Sequence, residues 1–381
     1  MYPTIRVGGG ARERGRQYGE AARERVLRSV AAYREVFAQQ AGWEWDRVRA
    51  EAAAFAAPIE RHGAKYLEEI RGIAEGAGLD ELDVLAINVR TEVMFAAKAR
   101  QAAAGVAPPA PSLPLECSAL AVLPERTVDG RLLVAQNWDW LVHSFETVVV
   151  LEAEQDDGPD FVTVVEAGLL AKTGMNSAGI AVATNALVTT DDLGRPGLPY
   201  HVLLRSLLDA ETVSDGLAAI LRSERSSSAN YLLGDEDGVA VDVEAAPGDF
   251  SRTFLGYAQD GVVLHVNHFT GDGRDVRDVS LWAMPDSPFR LARLKQLTAP
   301  EAGPLGVEAC QRILCDERMR PYAICCRPDP RDEGIARWAT IAGVVMDPRE
   351  RTLWLASGIP ADSGFERVDY GAFLSKRSRL R

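Results

Sequence analysis

From Arg12 to about Arg100, apolar residues recur every three to four positions. In GRQYGEAARERVLRSVAAYREVFAQQ the residues Tyr18, Ala22, Val26, Val30, Tyr33 and Phe37 fall on one stripe, the period of an amphipathic helix. Two further helices are expected, from about Asp46 to Glu75 with a break at Pro58, and from about Asp80 to Lys98 with Asp80 as its cap. The segment RQAAAGVAPPAPSLPLE then places Pro108, Pro109, Pro111 and Pro114 close together, which excludes regular structure and predicts a loop. Beyond it the period shortens to two. Strands are expected through SALAVL, RLLVAQNW, TVVVLEAE, FVTVVEA, GIAVATNAL, ANYLLGD, GVAVDVEA, GVVLHVNHF, ATIAGVVMD and TLWLASG. Helical stretches interrupt them at about Tyr200 to Asp209, Thr212 to Ser223, Pro288 to Thr298 and Val307 to Glu317.

Strands and helices thus come in blocks rather than in strict alternation. That order predicts an α+β chain, two antiparallel sheets sandwiched between helices, and argues against a parallel doubly wound sheet. The change of period divides the chain at its Pro-rich loop, with a helical segment 1–116 before it and a strand-rich body 117–381 after it. No internal repeat or heptad array is present.

Composition narrows the chemistry. The chain has 381 residues, 47% of them hydrophobic and 25% charged, enough for a sizeable core. A formal net charge of −13 disfavours nucleic acid as a partner, and the absence of a long apolar run disfavours a membrane; a small-molecule substrate fits better. The N-terminal MYPTIRVGGGARERGRQYG is charged and glycine-rich where a secretory signal needs an apolar core, so the expected location is the cytoplasm. With five cysteines and no export signal, a disulfide framework is not expected.

One cysteine stands apart. Cys117 opens the run CSALAVLP directly behind the loop, and Asp129-Gly130 marks a turn between this run and the one that ends in QNWD. A two-residue turn would place Cys117 opposite a position near 142; a longer loop would place it opposite about 137. Either register brings Asp139 close to a thiol at a strand end, an arrangement suited to nucleophilic catalysis. Two solutions for its base are open. One is a histidine, from His62, His143, His201, His265 or His268. The other is cleavage of the Glu116–Cys117 bond, after which the new α-amino group, with an ordinary pKa of about 7.7–8, deprotonates its own side chain. Either needs donors for a developing oxyanion, and Asn267 in VLHVNHF is a candidate.

The runs CSALAVLPERTVDGRLLVAQNWDW, VEAGLLAKTGMNSAGIAVATNAL, HVNHF and PYAIC resemble the acyl-coenzyme A:6-aminopenicillanic acid acyltransferase family, self-processing cysteine enzymes of the N-terminal nucleophile hydrolase fold. The N-terminal GGGARERGRQYGEAA and LAINVRTEV are similar to its pro-segment. The resemblance implies a four-layer αββα body and a precursor cleaved between Glu116 and Cys117 into an α and a β fragment that stay associated. It implies Cys117 as nucleophile, Asp139 as a supporting acid, Asn267 as an oxyanion-hole donor, Ser228 of SSSANYLLG in the substrate pocket, and Arg337 of ARWATIAG as support for Asn267. The expected function is acyl transfer through a Cys117 thioester to an amine or to water, with no cofactor and with a coenzyme A thioester as a co-substrate to consider. The family's penicillin-forming enzyme has glycine where Glu116 stands and serine where Ala336 stands. An uncleaved histidine-paired hydrolase and an unprocessed binding protein of the same fold are the alternative readings.

No metal is expected. His265 and His268 in HxxH on a strand point to opposite faces, and Cys310, Cys315, Cys325 and Cys326 lack a zinc spacing, Cys325 and Cys326 reading as core thiols. Gly8 to Gly10 has neither a preceding strand nor a P-loop lysine, so no nucleotide cradle is expected there.

Overall fold

The computed structural model describes residues 1–104, 117–271 and 276–375. The expected Pro-rich loop begins later than its sequence suggests, since Arg100 to Ala103 still belong to the helix Arg90–Ala103; its remainder from residue 105, Glu116 included, and the last six residues lie outside the described residues.

The strand Cys117–Val122 shows why the body is layered. Ala119 and Ala121 belong to one apolar core, while Leu120 and Val122 belong to another. A strand apolar on both faces must be covered on both. This strand sits in a six-stranded sheet in the order Val262–His265, Cys117–Val122, Leu133–Leu141, Trp338–Asp347, Thr352–Ser357 and Glu366–Asp369, antiparallel throughout. An eight-stranded sheet runs Thr4–Gly9, Val148–Gln155, Phe161–Glu166, Thr173–Asn176, Ile180–Ala186, Ala229–Asp235, Ala240–Ala245 and Thr253–Gly256. The two sheets share the larger core, in which Ala119, Ala121 and Val134 meet Ile180 and Val182. On the outer side of the smaller sheet, Leu120, Val122 and Ala135 pack with Leu291 and Leu294 of helix Ser287–Leu297 and with Ile313 and Leu314. Helices Tyr200–Leu207, Ala56–Ala77 and Arg23–Ala41 cover the larger sheet, giving the four αββα layers.

The helical segment differs in detail from the sequence expectation. Its first stretch is two helices, Ala11–Ala21 and Arg23–Ala41, and the next break falls at residues 54–55, because Pro58 is tolerated in the first turn of Ala56–Ala77. Asp80 does cap the helix Glu81–Asn88, its Oδ1 accepting from the Leu82 amide at 2.9 Å. The segment also donates a strand. Thr4–Gly9 runs into the triple glycine and pairs in parallel with Val148–Gln155, which corrects the expectation that no strand precedes those glycines. The short strands Thr173–Asn176, Thr253–Gly256 and Glu366–Asp369 were likewise not foreseen, being too brief for a period-two pattern. Among the described residues no helix is long and apolar enough to cross a membrane.

Helices Ala11–Ala21 and Ala56–Ala77 approach through glycines. A Cβ on Gly15 or Gly19 would lie 2.2 Å from the carbonyl oxygens of Glu69 or Ile73, and one on Gly72 would lie 2.1 Å from that of Arg12. These oxygens belong to backbone and cannot swing aside, so only hydrogen fits. Gly72→Ala is therefore expected to destabilise the protein by roughly 1–3 kcal/mol, read as a lower urea midpoint at unchanged slope. A variant as stable as the wild type would show that this helix pair is not held at backbone contact.

Candidate active site

Cys117 pairs with Trp138 across the sheet, and the pairing continues regularly to Val122 and Leu133. The connection is longer than a two-residue turn, so the partner at 142 is excluded, and the longer-loop expectation of about 137 misses by one residue. That residue matters, because successive side chains face opposite sides of a sheet. Cys117 and Trp138 look into the space between the sheets, and Asp139 looks to the other side.

Asp139 therefore meets Cys117 through its main chain. The Asp139 amide donates to the Cys117 thiol, while the carboxyl group accepts from Thr340 Oγ1 at 2.5 Å and contacts Cys326 Sγ at 3.7 Å. The Cys326 amide donates to Thr340 Oγ1 at 2.7 Å and closes the arrangement. Cys326 is thus a buried thiol, as read from sequence, with a place beside the site that sequence did not reveal. Burial pushes the Asp139 carboxyl up to about 7, against the lowering effect of the Arg290 charge and of its Thr340 and Cys326 partners.

The Cys117 amide donates to Asn267 Oδ1 at 2.8 Å. Asn267 follows the edge strand Val262–His265, which pairs with the Cys117 strand, so the sheet register itself sets this contact. Arg290, fully buried on the outer helix, donates to the same Oδ1 at 3.0 Å, to the Cys117 carbonyl at 2.8 Å and to Ser118 Oγ at 3.2 Å. Two donors on Oδ1 fix the orientation of the Asn267 amide, and its Nδ2 donates to the Ala186 carbonyl at 2.9 Å. Asn267 here accepts from the nitrogen of Cys117 as well as carrying donors of its own. Arg337 does not hold it: Arg337 is an exposed residue beyond a short turn, and its carbonyl accepts from the Val142 amide. The expectation for Arg337 is corrected to Arg290, which in sequence looks like any arginine on a helix surface.

On its thiol side Cys117 borders a narrow cavity of about 20 Å³, room for one water, with Trp138, Trp140, Lys172, Tyr200, His201 and Ser228 in its walls. Ser228 lines this cavity on the side of the larger sheet. Its amide and hydroxyl donate to Asp192 at 2.7 and 2.6 Å. From the helical segment, Arg90, Thr91 and Phe95 complete the wall. Arg90 donates to His201 Nε2 at 2.8 Å, and His201 Nδ1 lies 3.1 Å from the Ala171 carbonyl, so both ring nitrogens are engaged. Burial and the Arg90 charge hold His201 well below the usual histidine range, that is, neutral. His143 faces Glu166 at 3.2 Å, His265 faces Glu244 at 3.0 Å and His268 faces Ser287 at 2.8 Å. Burial pushes the Cys117 thiol up to about 11, with Lys172 opposing, so the thiol of this chain is protonated at neutral pH and needs a base.

His265 also lies with Asp242 and Glu244 so that their ligand atoms fall within 4.8 Å of one another, a geometry able to hold a metal ion. The sequence argument against metal weighed only histidine and cysteine spacings and missed this group, because the two acids come from the other sheet. Here Glu244 Oε1 accepts from Thr270 Oγ1 at 2.8 Å and Oε2 from the Gly271 amide at 3.0 Å, so the glutamate is already well supplied with donors.

A cysteine at the first position of a central strand, in an αββα sandwich and beside a cavity, is the arrangement of the N-terminal nucleophile hydrolase fold. The chain belongs to the acyl-coenzyme A:6-aminopenicillanic acid acyl-transferase family, whose model matches residues 126–362. It is 27% identical over 304 residues to the 40 kDa form of acyl-coenzyme A:6-aminopenicillanic-acid-acyltransferase of Emericella nidulans, covering 79% of this chain and 77% of that protein. Among solved structures, it is similar to a mutant of the conjugated bile acid hydrolase of Clostridium perfringens, at 13% identity and a TM-score of 0.48 over 69% of this chain and 95% of that one. Penicillin V acylase of Agrobacterium tumefaciens shares 14% identity and a TM-score of 0.34 over 66% of this chain and 86% of that one. Likenesses as distant as these two do not bear on the chemistry of the site.

The buried Asp139 supplies a test by pH. Its carboxyl binds a proton more tightly in the folded chain than in the unfolded one, where carboxylates titrate near 4, so this group's contribution to stability is lost as pH rises from about 4 to about 7. Asp139→Asn removes the titration. The stability of the variant relative to wild type is expected to rise across that window and level off above it, by at most about 4 kcal/mol at about 1.4 kcal/mol per pKa unit. Urea melts at pH 5 and pH 8 read the difference, and an equal offset at both would mean that Asp139 titrates normally.

Proposed function

We propose that the chain is cleaved between Glu116 and Cys117 and that Cys117 then takes an acyl group as a thioester and passes it to an amine or to water. The observation that carries this reading is the hydrogen bond from the Cys117 nitrogen to Asn267 Oδ1, with the thiol on the cavity side. The same acceptor would orient an α-amino group formed at that nitrogen. An α-amine of pKa about 7.7–8 is able to take the thiol proton at neutral pH, which the engaged, neutral His201 is not. That contrast weighs against the histidine-paired reading. Family membership supplies the reaction class, acyl transfer.

In the first step the Cys117 sulfur attacks the carbonyl carbon of residue 116, the C–N bond to Cys117 breaks as the thiol proton passes to the departing nitrogen, and water hydrolyses the resulting thioester to a carboxylate at residue 116 and a free thiol at Cys117. In the second, the thiolate attacks the substrate acyl carbon and the leaving group departs with a proton from the ammonium of Cys117. An amine or water then attacks the thioester and regenerates the thiol. The oxyanion is assigned to Asn267 Nδ2, and Asp139 and Arg290 are positioning groups, one through its amide and one through Asn267. The acyl donor is an amide or a thioester, coenzyme A thioesters included. The relative from Emericella nidulans is named for such a donor and for 6-aminopenicillanic acid as acceptor.

The two fragments would stay together. Strand Thr4–Gly9 is hydrogen-bonded into the larger sheet, Trp140 Nε1 donates to Tyr33 Oη at 2.8 Å, and Glu92 Oε1 accepts from the Tyr200 amide and from Ser227 Oγ, each at 2.8 Å.

Incubation with phenylacetyl-coenzyme A and acid quench, followed by peptide mass spectrometry, should show a hydroxylamine-sensitive phenylacetyl group on Cys117 and none on Cys117→Ala. A screen of aromatic and aliphatic thioesters and amides that leaves Cys117 unacylated throughout would refute the proposal.

A further inference from the structure

The geometry points to an anion site at Lys172 that takes a carboxylate carried by the molecule reacting at Cys117. The inference rests on Cys117 being the reacting group. Lys172 follows the run VEAGLLA, is 5% exposed, and shares the cavity wall with Cys117.

The case is one of donor accounting. An ammonium has three protons to give and nothing to accept. Lys172 Nζ donates one to Tyr200 Oη at 2.9 Å. Tyr200 Oη lies 2.7 Å from Thr184 Oγ1, whose own proton goes to the Asn230 carbonyl at 2.7 Å, so the chain of bonds runs outward from Lys172 and returns no acceptor to it. Among the described residues Lys172 has no carboxylate partner and no second acceptor. The faces of Trp138 and Tyr200, with centroids at 5.8 and 5.0 Å, compensate part of the charge, and Lys172 lines the cavity beside Cys117 with two N–H groups given to no acceptor among the described residues. Arg90, the other cation in the wall, faces Glu166 at 3.8 Å and donates to the Ile87 carbonyl at 3.2 Å and to His201, leaving only its buried Nε without a partner among the described residues.

A buried cation with unspent donors is costly unless an anion completes it, and a charge-assisted bond there is strong. Burial lowers the ammonium to about 8, which leaves it charged at neutral pH. Without a ligand, Lys172 and the Cys117 thiolate favour one another's charged forms, so activation of the thiolate is the competing account of the same lysine.

Iodoacetate and iodoacetamide separate the two, since both alkylate a thiol with loss of iodide and a proton but only one carries a carboxylate. Rates at Cys117 are read by peptide mass spectrometry, with the urea-unfolded chain as reference. The folded wild type should favour iodoacetate by about tenfold over that reference, a preference lost in Lys172→Met and kept in part by Lys172→Arg. Equal slowing of both reagents in Lys172→Met would identify thiolate activation instead and overturn the carboxylate site. So would a folded wild type without the preference, or one in which neither reagent reaches Cys117. If Lys172→Met does not fold, wild type against Lys172→Arg and the unfolded reference decides. Because no acyl chemistry is involved, a preference without any acyl adduct would leave the anion site standing while the acyl reading fell.

Discussion

The guanidinium of Arg290 is the constraint on which the site depends. It is fully buried, holds Asp286 at 2.6 Å for charge balance, and spends its other donors on the Cys117 carbonyl, Ser118 Oγ and Asn267 Oδ1. A cation taken out of water must be completely hydrogen-bonded, so these partners have little freedom to move without exposing an unmet charge. The helix Ser287–Leu297 is thereby tied to the first residue of one strand and to the residues after another. Asn267 cannot rotate its amide, and its oxygen is held toward the Cys117 nitrogen. In the proposed reaction a Cys117 whose nitrogen is preoriented in this way needs no histidine, and His201, His143, His265 and His268 are each engaged by other groups.

The helical segment is part of the same construction. It supplies the outermost strand of the larger sheet, Tyr33 as the acceptor of the Trp140 indole, and Arg90, Thr91 and Phe95 in the cavity wall. Its inner helices meet at glycines, so their distance is set by backbone contact rather than by adjustable side chains. Arg90 lies over the rings of Tyr33 and Trp140, 4.9 and 5.1 Å from their centroids. A segment bound by so many buried contacts belongs to the site, whether or not the chain is continuous.

Period and turn chemistry made the layers legible in sequence, because a strand apolar on both faces and a helix apolar on one leave few ways to pack. Cys117 was singled out by its place at the head of such a strand, and Ser228 by the family resemblance alone; the structure brings Asn267 to the Cys117 nitrogen and Ser228 to the cavity wall. The register was legible only to within one residue, since a long connection does not fix pairing as a tight turn does, and one residue decides that Asp139 offers Cys117 its amide and not its carboxylate. Arg290 was missed and Arg337 chosen instead because an arginine's partner lies in three dimensions, not in its neighbours along the chain. Lys172 carried a signal that went unused, a lysine placed directly behind the apolar run AGLLA.

The central claim, that the Cys117 nitrogen is held so as to become a free amine, concerns one peptide bond. Denatured intact masses of the wild type and of Cys117→Ala test it most directly. The account predicts that the wild type appears as two chains meeting at Glu116/Cys117, with masses that sum to the 41.3 kDa precursor plus one water, and that the variant remains whole. A wild type that stays a single chain after prolonged incubation would contradict it.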